Sequence, residues 1–306
     1  MSATAGRAFQ ESKMSSKPDA AGSESRDATA QQARLRVAAV QLVSSTRVDE
    51  NLARAGALIA EAAAAGARLV ALPEHFALLG RSDRDKLAIR EADGAGPIQR
   101  FLAAQAAAND VWLVGGTLPL FSPNPGKVLN TSFAYRPDGA RAARYDKIHL
   151  FGFEHGDERF DEAATIVPGR TPVVVDIEVG AAGAAQRWRA GMSVCYDLRF
   201  PELYRTLVPA DLILVPSAFT YTTGSAHWEV LLRARAIENQ CYVLAPAQGG
   251  RHENGRRTWG HSMLVDPWGE IVAMHDEGEG IAVGDVERSR LDAVRASIPA
   301  LRHRVL

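Results

Sequence analysis

The chain has 306 residues, 46% of them hydrophobic and 23% charged, with a formal net charge of −1. That is ordinary globular composition at a length that buries a full core without disulfide or metal staples, and it excludes the global basic field of a nucleic-acid or acidic-membrane binder. No apolar run reaches the roughly 18–20 residues of a membrane span, and two cysteines, Cys195 and Cys241, are too few for a secreted disulfide framework and fit reduced thiols in a cytosolic setting.

Residues 1–33 are rich in Ser, Ala, Gln and charge and carry no sustained apolar period. Such a stretch cannot bury enough surface to offset its ordering entropy, so the sequence predicts a disordered tail over 1–33 and a domain over 34–306. The tail has no secretory hydrophobic core, and Glu11, Asp19, Glu24 and Asp27 argue against an acid-poor transit peptide. The apolar pattern then predicts a strand over 35–42, a helix over 48–65, a short strand over 69–72 ending at Pro73-Glu74, a helix over 97–109 and a strand over 111–116. This β-α-β-α-β rhythm argues for a layered α/β domain. Arg136-Pro137-Asp138-Gly139 is a turn between strands over 131–135 and 140–145, which adds an antiparallel hairpin. Further strands are expected over 173–177, 189–194, 212–215, 242–245, 261–265 and 281–286, with helices over 201–208 and 226–239 and a strand-joining turn at Asp266-Pro267-Trp268-Gly269. No linker divides residues 34–306 and no repeat of 20–50 residues is present, so one large domain is expected.

Cys195 follows a predicted strand in Ser193-Val194-Cys195-Tyr196-Asp197, and Pro201 suits the first turn of the next helix. A thiol between a strand end and a helix start is expected on a sharp turn, exposed at the sheet edge, where the helix N-terminus favours the thiolate. The competing reading of a lone cysteine is core packing; Cys241, in Gln240-Cys241-Tyr242-Val243-Leu244, is read that way. A nucleophile needs a base and a place for negative charge to develop. Glu74 lies just beyond a buried strand, where α/β sheets place ligand sites, and Lys147 follows another strand in Tyr145-Asp146-Lys147-Ile148-His149. Taken separately, each also reads as an ordinary solvated charge.

Taken together they form a pattern. Leu72-Pro73-Glu74, then Tyr145-Asp146-Lys147-Ile148-His149-Leu150, then Val194-Cys195-Tyr196-Asp197-Leu198-Arg199-Phe200-Pro201-Glu202 occur in that order, followed by Pro216-Ser217-Ala218-Phe219, Ala226-His227-Trp228-Glu229 and Asp266-Pro267-Trp268-Gly269. Over about residues 35–306 the chain resembles the nitrilase (carbon–nitrogen hydrolase) superfamily. The resemblance implies an αββα sandwich of mixed sheets covered by helices, paired into homodimers or larger homo-oligomers. It also implies a Glu–Lys–Cys triad: Glu74 as general base, Cys195 as nucleophile forming a thioester, and Lys147 with the backbone N–H of Tyr196 facing the oxyanion. A free thiol, with a pKa of about 8.5, is only a few per cent thiolate at neutral pH and needs that base. No metal or organic cofactor is implied.

The same resemblance implies a second glutamate near the nucleophile. Glu162, in Phe160-Asp161-Glu162, is the matching residue, with Glu154 and Glu158 as alternatives because residues 152–159 interrupt the alignment. The segment from Gln248-Gly249-Gly250-Arg251-His252-Glu253 to Gly269 looks most like the deaminated glutathione amidases. The ω-amidases acting on α-ketoglutaramate come next, and N-carbamoyl amine hydrolysis, aliphatic amide hydrolysis and a catalytically silent binding subunit remain open. Such substrates are small anionic amides, so Arg251, His252 and Arg256-Arg257 are expected to supply positive charge, with Phe219 and Tyr196 at the substrate wall.

Other chemistries are set aside. The scattered histidines give no His-Glu-x-x-His metal arrangement, and neither a Gly-x-Ser-x-Gly elbow nor a complete phosphate loop occurs. Cys195 lies too far along the chain for a papain-like protease. Arg233 and Arg235 are expected to pair with carboxylates such as Glu238 rather than with nucleic acid.

Overall fold

The computed structural model describes residues 34–156, 158–180 and 185–305; the stretch 1–33, where the sequence predicts a disordered tail, lies outside the described residues. The strands are β1 (Arg34–Gln41), β2 (Leu69–Ala71), β3 (Trp112–Val114), β4 (Leu118–Phe121), β5 (Val128–Tyr135), β6 (Arg141–Asp146), β7 (Gly152–His155), β8 (Glu158–Asp161) and β9 (Val173–Val179). They continue as β10 (Gln186–Met192), β11 (Leu212–Leu214), β12 (Tyr242–Ala245), β13 (Gly249–Arg251), β14 (Arg257–Trp259), β15 (Ser262–Val265), β16 (Ile271–His275) and β17 (Gly280–Glu287). The α-helices are α1 (Val48–Ala64), α2 (Pro97–Ala108), α3 (Pro201–Leu207), α4 (Tyr221–Asn239) and α5 (Arg288–Ser297).

Two mixed sheets result. The first runs β17-β1-β2-β3-β5-β4, with β6 also on β5; the second runs β16-β15-β12-β11-β10-β9. Strand alternation then sets the layers, because successive side chains point to opposite faces. Leu69 and Ala71 of β2 join a core with Ala190 and Met192 of β10, whereas Val70 and Leu72 face Ile59 of α1 and Leu102 of α2. On the far side, Leu203 and Leu207 of α3 and Trp228 and Leu232 of α4 complete the first core. The order is helices, sheet, sheet, helices: the expected αββα sandwich.

Local sequence explains the helices that frame it. Asn51, Ala55, Ile59 and Ala62 are the buried residues of α1, one stripe at helical spacing. Pro97 opens α2 in the first turn, where no N–H is needed. The predicted hairpin over 131–145 is β5–β6, and the Asp266–Gly269 turn joins β15 to β16, with Gly269 N–H donating to Asp266 C=O at 2.9 Å. The sequence reading missed α5, whose buried residues are only Leu291 and Val294, and the two-stranded ribbons β7–β8 and β13–β14. No helix among the described residues is long and apolar enough to cross a membrane.

Candidate active site

Three chain segments that leave sheet strands converge on one buried charge cluster. Glu74 follows β2 after Pro73, and the chain can pass there because Gly116 (φ +52) lies so close that a Cβ would strike the Pro73 carbonyl. Lys147 directly follows β6, and Gly169 packs against the Asp146 carbonyl with the same lack of room for a Cβ. Glu162 opens a short 3-10 turn after β8.

The Lys147 side chain is fully buried. Its Nζ donates to Glu74 Oε1 at 2.9 Å and to Glu162 Oε1 and Oε2 at 3.0 and 2.7 Å. Burial alone would lower the ammonium's pKa, but Glu162 and Glu74 outweigh it and hold the group well above the lysine range. Asn130 Nδ2 donates to Glu74 Oε1 at 2.9 Å, and the Phe151 N–H donates to Glu162 Oε2 at 2.7 Å. Both carboxylates are therefore fixed by a second donor, as buried charges require. Glu74, His75 and Glu162 present ligand atoms within 4.8 Å of one another, a spacing that suits a metal, but here the Lys147 ammonium stands between the two carboxylates.

Cys195 begins a 3-10 turn of five residues after β10. Its backbone has φ +50, uncommon for a residue with a side chain, and its N–H donates to the Pro216 carbonyl at 2.9 Å. Strain of this kind costs about 1–3 kcal/mol and persists only where surroundings over-determine it. Asp197 supplies much of that constraint. Completely buried, it accepts from the Val194 N–H (2.8 Å), Tyr145 Oη (2.7 Å), and the His149 N–H (3.0 Å) and Nδ1 (2.8 Å).

Two expectations for Cys195 are corrected. The residue is not exposed at a sheet edge: it is 7% exposed, and β10 lies between β9 and β11. Nor is the thiolate favoured. Burial first, and the Glu74 charge second, push the thiol well above its usual range, while Lys147 and the Ala218 N–H pull more weakly the other way. A five-residue turn is too short to offset desolvation. Cys241 is completely buried and its thiol is pushed up to about 12 by burial.

Glu74, Glu162 and Cys195 line a cavity of about 540 Å³, with His75, Lys86, Phe160 and Arg256 among its walls. Tyr196 and Phe219 border a small adjoining recess with Cys195. The Tyr196 N–H is in the first turn of its helix, where helical geometry supplies no acceptor. Arg251 and His252 do not line the cavity. Arg251 is exposed at the end of β13. His252 is buried between the Ser44 carbonyl at Nδ1 (3.0 Å) and Thr258 Oγ1 at Nε2 (2.7 Å), and burial lowers its pKa, which favours the neutral ring over an anion-binding cation. Arg256 and Arg257 do reach the cavity. Glu154 is exposed on β7 opposite Arg159, and the Glu158 side chain lies outside the described atoms. Arg235 pairs with Glu238 at 3.0 Å, and Arg233 pairs with Glu229 at 3.0 Å. The sequence reading missed Asn130, His75, Asp197 as an anchor, and Lys86.

Known proteins share this chain's sequence and fold. The profile of the carbon–nitrogen hydrolase family matches residues 36–296. A Synechocystis protein named deaminated glutathione amidase is 43% identical over 274 residues, covering 88% of this chain and 97% of that one. A Pongo abelii protein named omega-amidase NIT2 is 35% identical, covering 89% and 95%. Among solved structures, Saccharomyces cerevisiae Nit3, described as a member of branch 10 of the nitrilase superfamily, superposes with a TM-score of 0.78 at 31% identity, covering 89% of this chain and 97% of that one.

Proposed function

We propose, from the premise that the chain belongs to the carbon–nitrogen hydrolase family, that it cleaves the amide of deaminated glutathione, with Glu74, Lys147 and Cys195 as its reacting groups. Amide-cleaving carbon–nitrogen hydrolysis is the activity of the family and of this chain; the substrate and the roles of the side chains are the proposal. The observation that carries it is the buried Lys147 ammonium, held by Glu74 and Glu162, two residues that line the cavity together with Cys195.

In this reading Glu74 takes the proton of the neutral Cys195 thiol as sulfur attacks the amide carbon. The oxyanion that forms is met by Lys147 and the Tyr196 N–H, donors of a kind that change rates by about 10²–10³-fold each. The proton passes to the leaving amine, the C–N bond breaks and a thioester remains. Water, deprotonated by Glu74, then cleaves the thioester and returns the thiol with release of the acid. Glu162 holds Lys147 throughout. These steps use side chains, a backbone N–H and water.

The substrate reading rests on the Synechocystis relative, and cleavage of α-ketoglutaramate is the alternative favoured by the omega-amidase relative. Values of kcat/KM for deaminated glutathione, α-ketoglutaramate and an N-carbamoyl amino acid decide between them; equal low rates on all three leave only the general amidase. Cys195→Ala is expected to abolish hydrolysis in a folded protein, and a trapped acyl adduct is expected on Cys195; an adduct confined to Cys241 overturns the assignment. A homodimer in the cytosol completes the proposal. Val230 (68% exposed) and Ile237 (50%) on α4, with Trp268 (49%), offer an apolar face for pairing, which light scattering on the purified chain checks.

A further inference from the structure

We propose that Lys86 is the charge-recognition residue of the cavity, its ammonium binding a carboxylate carried on the acyl part of the substrate, so that the enzyme selects amides of dicarboxylic acids over neutral amides. The inference deepens the amidase reading and rests on it for the position of the scissile bond. Lys86 lines the same cavity as Glu74, Glu162 and Cys195, and it shares a narrow recess with Ile89 and Ile166.

Apart from Arg159, the other cations at or beside the cavity are already engaged. Lys147 holds two glutamates, Arg256 pairs with Asp83 at 2.8 Å, and Arg257 pairs with Glu277 at 3.3 Å while lying 3.7 Å over the Tyr221 ring. Arg159 has no carboxylate partner among the described residues, but it is exposed on the β7–β8 ribbon and already hydrated. Lys86 is half-buried and makes no ion pair among the described residues. Among the described residues no carboxylate lies within ion-pair distance of its Nζ, whose contact is the neutral Thr165 Oγ1 at 3.4 Å.

A half-buried ammonium without an ion-pair partner gains from an incoming carboxylate. Burial accordingly lowers its pKa, against the pull of Asp83 and Glu162. The loop that carries it is fixed in advance. Asp85 accepts from the Arg81 N–H and from Ser82 Oγ, and Asn254 Nδ2 donates to the Gly80 carbonyl at 2.7 Å. A receptor held this way loses little entropy when the anion arrives.

The test compares glutaramate with pentanamide, which share five carbons and the scissile amide but end in a carboxylate and a methyl group. It is run on the full chain and its Lys86→Met and Lys86→Arg variants, with glutarate binding followed by calorimetry. Lys86→Met is expected to lower the ratio of kcat/KM for glutaramate to that for pentanamide by about 10–100-fold, mostly through KM, and to weaken glutarate by a similar factor. Lys86→Arg is expected to keep most of both. The proposal is overturned if the wild type fails to bind glutarate, if Lys86→Met leaves glutarate affinity unchanged, or if both amides lose rate by the same factor. Absence of any amide turnover by the wild type, with glutarate binding that depends on Lys86, would instead refute the hydrolysis reading and leave the recognition role standing.

Discussion

Asp197→Asn tests whether the turn at Cys195 is held by the buried carboxylate beneath it. Oδ2 of Asp197 accepts from Tyr145 Oη and the Val194 N–H, and Oδ1 accepts from the His149 N–H and Nδ1. A carboxamide replaces one of these acceptors with a donor. Whichever way it turns, the Tyr145 hydroxyl or the His149 ring can reverse its role, but a main-chain N–H cannot. One buried N–H is therefore stranded, costing about 1–3 kcal/mol, and the remaining bonds lose their charge assistance, adding about 1 kcal/mol. For a chain of this size a total of about 2–4 kcal/mol lowers Tm by roughly 5–15 °C. The residue preceding Cys195 loses its anchor, so kcat is expected to fall at least about tenfold as the strained φ relaxes. Calorimetric unfolding and steady-state kinetics on one preparation measure both. A Tm within about 1 °C of wild type would refute the argument that these four donors need an anion.

His75 is held neutral in the folded chain, where burial, and then the Lys86 charge, lower its pKa to about 3, whereas in the unfolded chain it titrates near 6.5. The unfolded state therefore gains a proton that the folded state refuses as pH falls from about 6.5 towards 3, and stability is lost across that window; His75→Asn, a residue that tolerates the φ of +57 found at this position, is expected to give a shallower acid-side slope in urea denaturation, and an unchanged slope refutes the assignment. Arg251→Ala is expected to keep kcat/KM within about twofold, because the side chain is exposed and outside the cavity; a loss of tenfold or more would mean that the β13–β14 ribbon is differently placed when substrate binds. Glu162→Gln is expected to reduce kcat by about 10²-fold with KM little changed, and a loss confined to KM would place Glu162 in substrate binding instead.

Glu74, Lys147 and Cys195, the triad placed from sequence, each sit just past the end of a sheet strand. Leu69–Ala71, Arg141–Asp146 and Gln186–Met192 fix where Glu74, Lys147 and Cys195 emerge. Environment was less legible. Helix-start logic favoured a thiolate at Cys195, but the depth of the site and the neighbouring Glu74 reverse the sign, and neither is local information. The β13–β14 ribbon shows the limit in another form. Of Arg251, His252, Arg256 and Arg257, all expected to supply positive charge, only Arg256 and Arg257 reach the cavity, because the pairing of β13 with β14 that separates them carries no local signal. Lys86 sits in the polar run Arg81-Ser82-Asp83-Arg84-Asp85, which reads as a solvated loop. It is half-buried, in a loop that a segment far along the chain ties down, Asn254 to Gly80 and Arg256 to Asp83.

The charges at the centre explain why two carboxylates accompany one lysine. With a neutral thiol, the resting site holds one ammonium and two carboxylates. On the proposed assignment, Glu74 becomes neutral as it takes the thiol proton, and its negative charge reappears on the substrate oxygen. The total does not change; the charge only moves along the surface of Lys147. In a low-dielectric site such a relocation costs far less than creating a new charge. A single glutamate would leave Lys147 without any fixed partner once Glu74 is protonated, free to swing toward the leaving group. Glu162, itself held by the Phe151 N–H at 2.7 Å, keeps the ammonium in place at that moment, which is why its removal is expected to fall on kcat and not on KM.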